Sequence, residues 1–362
     1  MFRFYEDRGN LSAMTASPLL PTSDATSSPA IEADHPAGSA TAATPTTGPR
    51  PIEPLDPRCT TIQPGGGLCM RVELAWGSVR RWYLKRFFPG YVARMQALRQ
   101  GHDAGYPHEI LDPRDLKFYQ HRPGYFWFPQ DDPFQWRDRL PWARVGLAEL
   151  LLLGGGLALL TLLSAALLSW VLAILPAAGA VLVLWFFRNP SRQVPSEEGM
   201  VLAPADGRIV AIRSLAHDPF VGGPAIEIDI FLSVFNVHLN RAPVDARVVG
   251  LTYRPGKFMN ALRPAAAREN EQMIIRMEET KAPYRGFIVR QIAGAIARRI
   301  VCQVGPGQTL ARGQVLGMIK LGSRTQIVLP ASEGLALHVQ VGQKVRAGTS
   351  ILARYTDSPE SS

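Results

Sequence analysis

The strongest pattern along the chain is an apolar block from Val145 to Phe187 in which Glu149 is the one charged residue. One bilayer crossing takes about 20 residues, and the block is twice that. It therefore predicts a two-helix membrane hairpin over 145–187, with its turn near Ser164–Trp170. Gly154-Gly155-Gly156 allows close helix packing, and Pro176 is tolerable inside a membrane helix. The alternative is a hairpin that dips into one leaflet. After the block the period changes. Ile226-Glu227-Ile228-Asp229-Ile230-Phe231 alternates at every second position, and Asp206-Gly207 and Arg254-Pro255-Gly256-Lys257 are turn signals. Residues 188–260 thus read as short strands. Residues 261–280 read as helical, interrupted near Pro264. Residues 286–301, with Phe287, Val289, Ile292, Ile296 and Ile300, suit strand or helix. Gly317–Leu321 reads as a short apolar strand, Gly322-Ser323 as a turn, and Arg324–Pro330 as an alternating strand ended by proline.

Upstream of the block the pattern is weaker. Residues 1–58 are rich in Ser, Thr, Ala and Pro and lack the apolar surface that offsets ordering entropy, so they read as a disordered tail. Residues 59–142 form a basic and aromatic N-terminal extension. In 72–100, Trp76, Trp82, Tyr83, Phe87, Phe88 and Tyr91 interleave with Arg80, Arg81, Lys85, Arg86, Arg94 and Arg99, which suits a helix in the lipid headgroup region. The alternatives are a soluble helix with a basic face, or two helices broken at Pro89-Gly90. The turn-rich stretch 101–142 holds His102, His108 and His121 among carboxylates, without metal-ligand spacing, and no metal is expected.

An internal echo occupies the tail. Gln303-Val304-Gly305-Pro306-Gly307 through Gly313 is similar to Gln340-Val341-Gly342 through Gly348. Such paired strand-turn units also occur in biotinyl- and lipoyl-carrier domains. The expected fold is therefore α+β: a β-rich catalytic domain over 188–362, a barrel-sandwich hybrid with a carrier-like C-terminal part, preceded by a transmembrane helical hairpin.

Charge changes the picture in one respect. Across 362 residues the net charge is +9, with a sequence pI near 9.7. Beside an apolar block this points to an anionic membrane surface, and no nucleic-acid motif accompanies it. Arg137, Arg139 and Arg144 precede the block and Arg188 and Arg192 follow it, which places both ends, and the catalytic domain, on the cytoplasmic face of the cell membrane. Cys59, Cys69 and Cys302 form no disulfide or Cys-x-x-Cys framework, in keeping with a reducing compartment. The opening Met1–Arg8 lacks the apolar core of a secretory signal.

Alone, Gly-Ser between strands is a common turn. Its company is not: Trp185-Phe186-Phe187-Arg188-Asn189-Pro190, Ala203-Pro204-Ala205-Asp206-Gly207, Phe231-Leu232-Ser233 through His238-Leu239-Asn240-Arg241-Ala242-Pro243, and Tyr253-Arg254-Pro255-Gly256-Lys257-Phe258-Met259-Asn260. In this order, from about Val145 to Ala353, the chain resembles the short-form bacterial phosphatidylserine decarboxylases. The resemblance implies self-cleavage at Gly322–Ser323. Attack by the serine hydroxyl, elimination and loss of ammonia would leave a covalent pyruvoyl group derived from Ser323, with the large and small chains remaining associated. That group would form a Schiff base with phosphatidylserine in the membrane and release carbon dioxide, with no separate cofactor. Homo-oligomerisation is left open, as is the exact serine phospholipid.

By the same resemblance Asp206 belongs to the self-cleavage machinery, orienting a histidine, and His238 is linked to catalysis. Longer forms carry a second, base-acting histidine where this chain has Arg241, and arginine is a poor base. Either His238 serves both roles or the base lies elsewhere, with His217 and His338 as fallbacks. Arg241, Arg254, Lys257 and Arg324 are candidate contacts for the anionic substrate. The competing reading is a non-catalytic, membrane-anchored carrier-like scaffold.

Overall fold

The computed structural model describes residues 48–99, 109–118, 127, 129–295, 299–320 and 322–356. The tail up to residue 47, His102, His108, His121, Ile296 and Leu321 lie outside the described residues. The strands, in chain order, are β1 (Met200–Leu202), β2 (Gly207–Asp218), β3 (Gly223–Leu232), β4 (Leu239–Arg241), β5 (Ala246–Arg254), β6 (Gln272–Glu279), β7 (Gly286–Ile292), β8 (Arg299–Cys302), β9 (Thr309–Leu310), β10 (Val315–Lys320), β11 (Ser323–Pro330), β12 (Leu335–Leu337), β13 (Lys344–Val345) and β14 (Ile351–Tyr355).

One eight-stranded sheet runs β13-β2-β3-β11-β7-β6-β5-β9, and two three-stranded sheets run β1-β14-β12 and β4-β10-β8. Bulges at Ile209/Ala211 and Leu215/Asp218 in β2 and at Val248/Gly250 in β5 bend the large sheet. Its inner face buries Ile228, Ile230, Ile275, Phe287, Val289 and Ile327 against Leu316, Ile319 and Leu352 of the smaller sheets. The two glycines of each tail echo, Gly307 with Gly313 and Gly342 with Gly348, all have left-handed φ, so the echo is two copies of one turn. The first copy leads into β9 against β5, the second into β13 against β2.

Two stretches differ from the sequence expectation. Residues 48–58, assigned to the tail, are ordered along β5 and β6. Arg50 N–H donates to the Glu278 carboxylate (2.8 and 3.0 Å), Glu53 N–H to Val249 O (2.8 Å), and the Asp56 carboxylate accepts from Tyr253 N–H (3.0 Å). Glu53 also pairs with Arg276. Specific polar partners, with Leu55 packed against the core, order a segment whose composition reads as disordered. Residues 261–280, read as helical, hold only the single turn α5 (Ala266–Glu269) before β6. The pattern Met273, Ile275, Met277 buries at period two, and that wins over the helix propensity of the charged residues between them. Within 286–301, read as strand or helix, the described residues form strand β7 and the start of β8.

In the extension, α1 (Leu68–Phe87) and α2 (Pro89–Leu98) are two helices broken at Pro89. Met70, Met95, Ile110, Phe118 and Trp127 make a small core beneath them. The buried carboxylates Asp112 and Asp115 pair with Arg80 and Arg81 of α1.

The apolar block forms α3, a continuous helical run over Arg144–Leu167, and α4 (Trp170–Phe186), packed against each other across Leu168-Ser169. The 24 residues of α3 suffice to cross a bilayer, and α4 is shorter. Leu150–Gly154 forms a wider, π-type turn, and Gly154 lies against Val183 of α4. Glu149, at the foot of α3, is buried and pairs with Lys320 at the end of β10. Removing one partner of a buried pair strands the other charge, which costs more than removing both. Lys320→Met and Glu149→Leu should each destabilise the detergent-solubilised protein by about 3 kcal/mol. The double variant should lose clearly less, as read by thermal denaturation of all four proteins of the cycle.

Candidate active site

The site sits where three strands pass from one sheet to another. β3, β7 and β11 are neighbours in the large sheet, and their chain partners β4, β8 and β10 are neighbours in a small one. The passages are Ser233–His238 between β3 and β4, the segment after Ile292 between β7 and β8, and Leu321-Gly322 between β10 and β11. Gly322 makes its turn with φ +61°, a left-handed angle that glycine adopts without strain. Ser323 begins β11, opposite Leu232.

Two neighbouring passages grip the Gly322–Ser323 linkage. Gly322 N–H donates to His238 Nε2 at 3.2 Å, and His238 Nδ1 lies 2.9 Å from Asn236 O. A backbone N–H only donates and a carbonyl only accepts, so the imidazole carries its proton on Nδ1 and offers a lone pair at Nε2. The ring is fully buried and lies against Phe186, the last residue of α4, at a centroid separation of 4.4 Å. Burial drives its pKa down to about 4, with the Arg188 charge acting in the same direction and the Asn236 hydrogen bond opposing. The histidine is therefore neutral at physiological pH. From the third passage, Gly294 closes on the Gly322 carbonyl: a Cβ at 294 would stand 1.9 Å from that oxygen. Asn270 braces this loop, its Nδ2 donating to Ala293 O at 2.7 Å and Met259 O at 2.8 Å.

Ser323 is fully buried, and its hydroxyl has no hydrogen-bond partner. Beside it runs a buried polar chain that the sequence did not single out. Thr325, two residues along the same face, accepts from Asn240 Nδ2 at 2.8 Å, and Asn240 Oδ1 accepts from Gln291 Nε2 at 2.8 Å. Gln291 faces Thr325 across the β7–β11 ladder, and its own Oε1 is unpartnered. Such groups are costly in an apolar core unless they are used. An unpaired hydroxyl, a neutral imidazole and an adjoining peptide in a water-excluded seam can do acyl transfer within their own backbone.

The remaining sequence candidates fall elsewhere. The Asp206 carboxylate accepts from Arg192 (2.8 and 3.0 Å) and Ala347 N–H (2.8 Å), so it orients no histidine. The Arg241 guanidinium donates to Asn189 Oδ1 (2.8 Å) and Gly313 O (2.9 Å). Arg324 is buried on the opposite face of β11 from Ser323, paired with Asp229 at 3.2 Å. Arg241 and Arg324 are thus internal fasteners and not exposed anion contacts. Arg254, the last residue of β5, and Lys257, on the loop that follows, are exposed, and Lys257 pairs with Glu269 at 2.7 Å. His217 and His338 are exposed and hydrogen-bond nothing near Ser323 through their rings. Among the described residues no cluster of metal-ligating side chains occurs.

Sequence comparison agrees with this geometry. The family model for phosphatidylserine decarboxylase matches residues 180–353. A phosphatidylserine decarboxylase proenzyme of Rhodopirellula baltica is 47% identical over 243 residues, 66% of this chain and 99% of that one. Proenzymes of the same name from Nitrosomonas eutropha (46% over 186 residues, 51% of this chain and 84% of that one) and Carboxydothermus hydrogenoformans (43% over 198 residues, 55% and 91%) are similar across the same core. A β-rich fold with a buried Gly-Ser junction defines a self-processing proenzyme, and the chain belongs to the phosphatidylserine decarboxylase family.

Two outcomes follow. Gly294→Ala should displace the Gly322 carbonyl and slow precursor cleavage by about a hundredfold, scored by the ratio of uncut to cut chain on denaturing gels. Because His238 stays neutral down to about pH 4, the cleavage rate should be flat through pH 6.5 and fall only as pH approaches that value. A half-loss near pH 6.5, the ordinary histidine range, would contradict the buried, neutral ring.

Proposed function

We propose that this chain is a membrane-bound phosphatidylserine decarboxylase that cleaves itself at Gly322–Ser323 and converts Ser323 into the pyruvoyl group used on its lipid. The observation that carries this reading is the buried Gly322–Ser323 linkage, with Gly322 N–H on His238 Nε2 and a partnerless Ser323 hydroxyl beside it. The Nε2 lone pair moves from the Gly322 N–H to the Ser323 Oγ proton. Oγ then bonds to the Gly322 carbonyl carbon as the C–N bond breaks, giving an ester and a free amine. Removal of the Ser323 α-proton expels the Gly322 carboxylate and leaves a dehydroalanine. One water then replaces the nitrogen, which departs as ammonia. The single histidine performs the proton transfers, since Arg241 and Asp206 are held in other bonds.

Ser323 fits the group it would become: it is fully buried at a chain terminus created by the cut, with unpartnered polar atoms around it. When formed, the pyruvoyl carbonyl supplies an electron sink for a substrate amine. His238 holds a proton acceptor beside it, and Phe186 keeps water from the ring. The exposed cations Arg254 and Lys257 suit the substrate phosphodiester. An exposed pair such as Lys257–Glu269 is worth little and is readily exchanged for a phosphate.

The cut need not separate the fragments. β11 stays between β3 and β7, and β13 and β14 stay paired with β2 and β1. The twinned turns at 305–313 and 340–348 support a carrier-like sandwich for this part of the fold. The two packed apolar helices support a membrane hairpin, with the arginines at its foot favouring the cytoplasmic face. The Ser233–His238 loop is tied to that foot: Trp185 Nε1 and Arg188 Nη2 both donate to Phe235 O, at 3.2 and 2.9 Å. The scaffold alternative has no observation in its favour.

Intact mass of the detergent-purified protein tests the reading. One fragment should end at Gly322. The other should lack one ammonia relative to a Ser323 amine terminus and resist stepwise N-terminal sequencing. Ser323→Ala should give one uncut chain. A single intact chain from folded wild-type protein would overturn the assignment.

A further inference from the structure

Helix α1 has apolar residues on both sides. The side it turns to the protein packs Met70 and Leu74 into the small core and carries Glu73, Arg80 and Arg81, which pair with Lys117, Asp112 and Asp115. The opposite side exposes Leu68, Val72, Trp76, Val79, Trp82, Tyr83 and Phe87, and Leu68 (71%) and Trp82 (63%) are mostly bare. These positions form one stripe along a 20-residue helix, about 30 Å long. A soluble helix would carry polar residues there. Contiguous exposed apolar surface of this kind marks an interaction face.

Two further observations indicate what covers it. The rim is cationic: Arg71, Arg86 and Arg94 are exposed along α1 and α2, and Glu73 is the one acidic residue in the two helices. Tryptophan, tyrosine and arginine together are the composition of the headgroup boundary. α1 is also joined to the apolar hairpin. α1 packs on Leu147–Glu149 at the foot of α3, and a cleft there is lined by Met70 and Glu73 of α1 with Arg144, Glu149 and Lys320. A helix fastened at that level lies where a bilayer surface would be.

We infer that α1 is an interfacial helix whose outer stripe is seated in the headgroup region of an anionic phospholipid bilayer. It lies outside the part of the chain that the family model matches. Together with the hairpin it would hold the sheet crossover and its Ser233–His238 loop at a fixed height over the lipid. This inference rests on the hairpin spanning or entering the membrane, and the experiment separates the two.

The full chain, with Cys69→Ser, is reconstituted in vesicles of phosphatidylcholine and phosphatidylglycerol. A nitroxide is attached at Val79→Cys, at Leu163→Cys in α3, or at the exposed Glu333→Cys as a solvent reference. Collision with oxygen, which concentrates in lipid, is compared with collision with a water-soluble nickel chelate. The expected result is that the Val79 label favours oxygen and Leu163 favours it more strongly, while Glu333 favours nickel. If Val79 behaves like Glu333 while Leu163 stays oxygen-rich, α1 is not at the bilayer and the inference fails alone. If Leu163 is also open to nickel, the hairpin reading fails and takes the inference with it. If Val79 is shielded from both reagents, protein covers the stripe, a second copy included, and the lipid assignment is overturned.

Discussion

The structure depends on the crossover of three adjacent strands between sheets. At that seam the chain cannot complete a regular ladder, so Gly322 takes a left-handed turn and its N–H must find a side-chain acceptor. The acceptor is His238, and it can accept only while neutral. Burial behind Phe186 keeps it so. The same packing that excludes water leaves the Ser323 hydroxyl without a partner. A dry seam is an expensive place for these groups. It is also where a hydroxyl, a base and a carbonyl need no solvent reorganisation to react.

The two apolar helices are part of this seam and not an appendage to it. The final residue of α4 is the wall of the imidazole, and Trp185 and Arg188 fasten the loop that carries it. At the foot of α3, Glu149 holds the end of β10 two residues before Gly322. Each helix of the apolar block therefore reaches the reacting linkage through two side chains, Phe186 and His238 from α4, Glu149 and Lys320 from α3.

Much of this was legible in sequence. The apolar block forms helices and the period-two segment forms a strand where the pattern puts them, while Ser323, read as part of a turn, is already the first residue of β11 and His238 stands against Gly322. What sequence could not show depends on long-range pairing. Gln291, Asn240 and Thr325 are ordinary polar residues until three strands bring them together, and Gly294 matters only because the carbonyl of the distant Gly322 touches it. The tail residues Arg50, Glu53 and Asp56 look like those of a disordered segment because their partners lie about 200 positions away in sequence. The Asp206 motif is intact in sequence, and in the fold its carboxylate is held by Arg192 and Ala347 N–H.

The central claim is that a neutral His238, protonated on Nδ1, holds the Gly322 N–H in a water-excluded seam before cleavage. Nitrogen NMR of histidine-labelled Ser323→Ala precursor tests it most directly, with His238 assigned by its loss in His238→Gln. The account predicts an unprotonated, hydrogen-bonded Nε2 and a protonated Nδ1 at neutral pH, unchanged at pH 5. An imidazolium at pH 5, or the proton on Nε2, would contradict it.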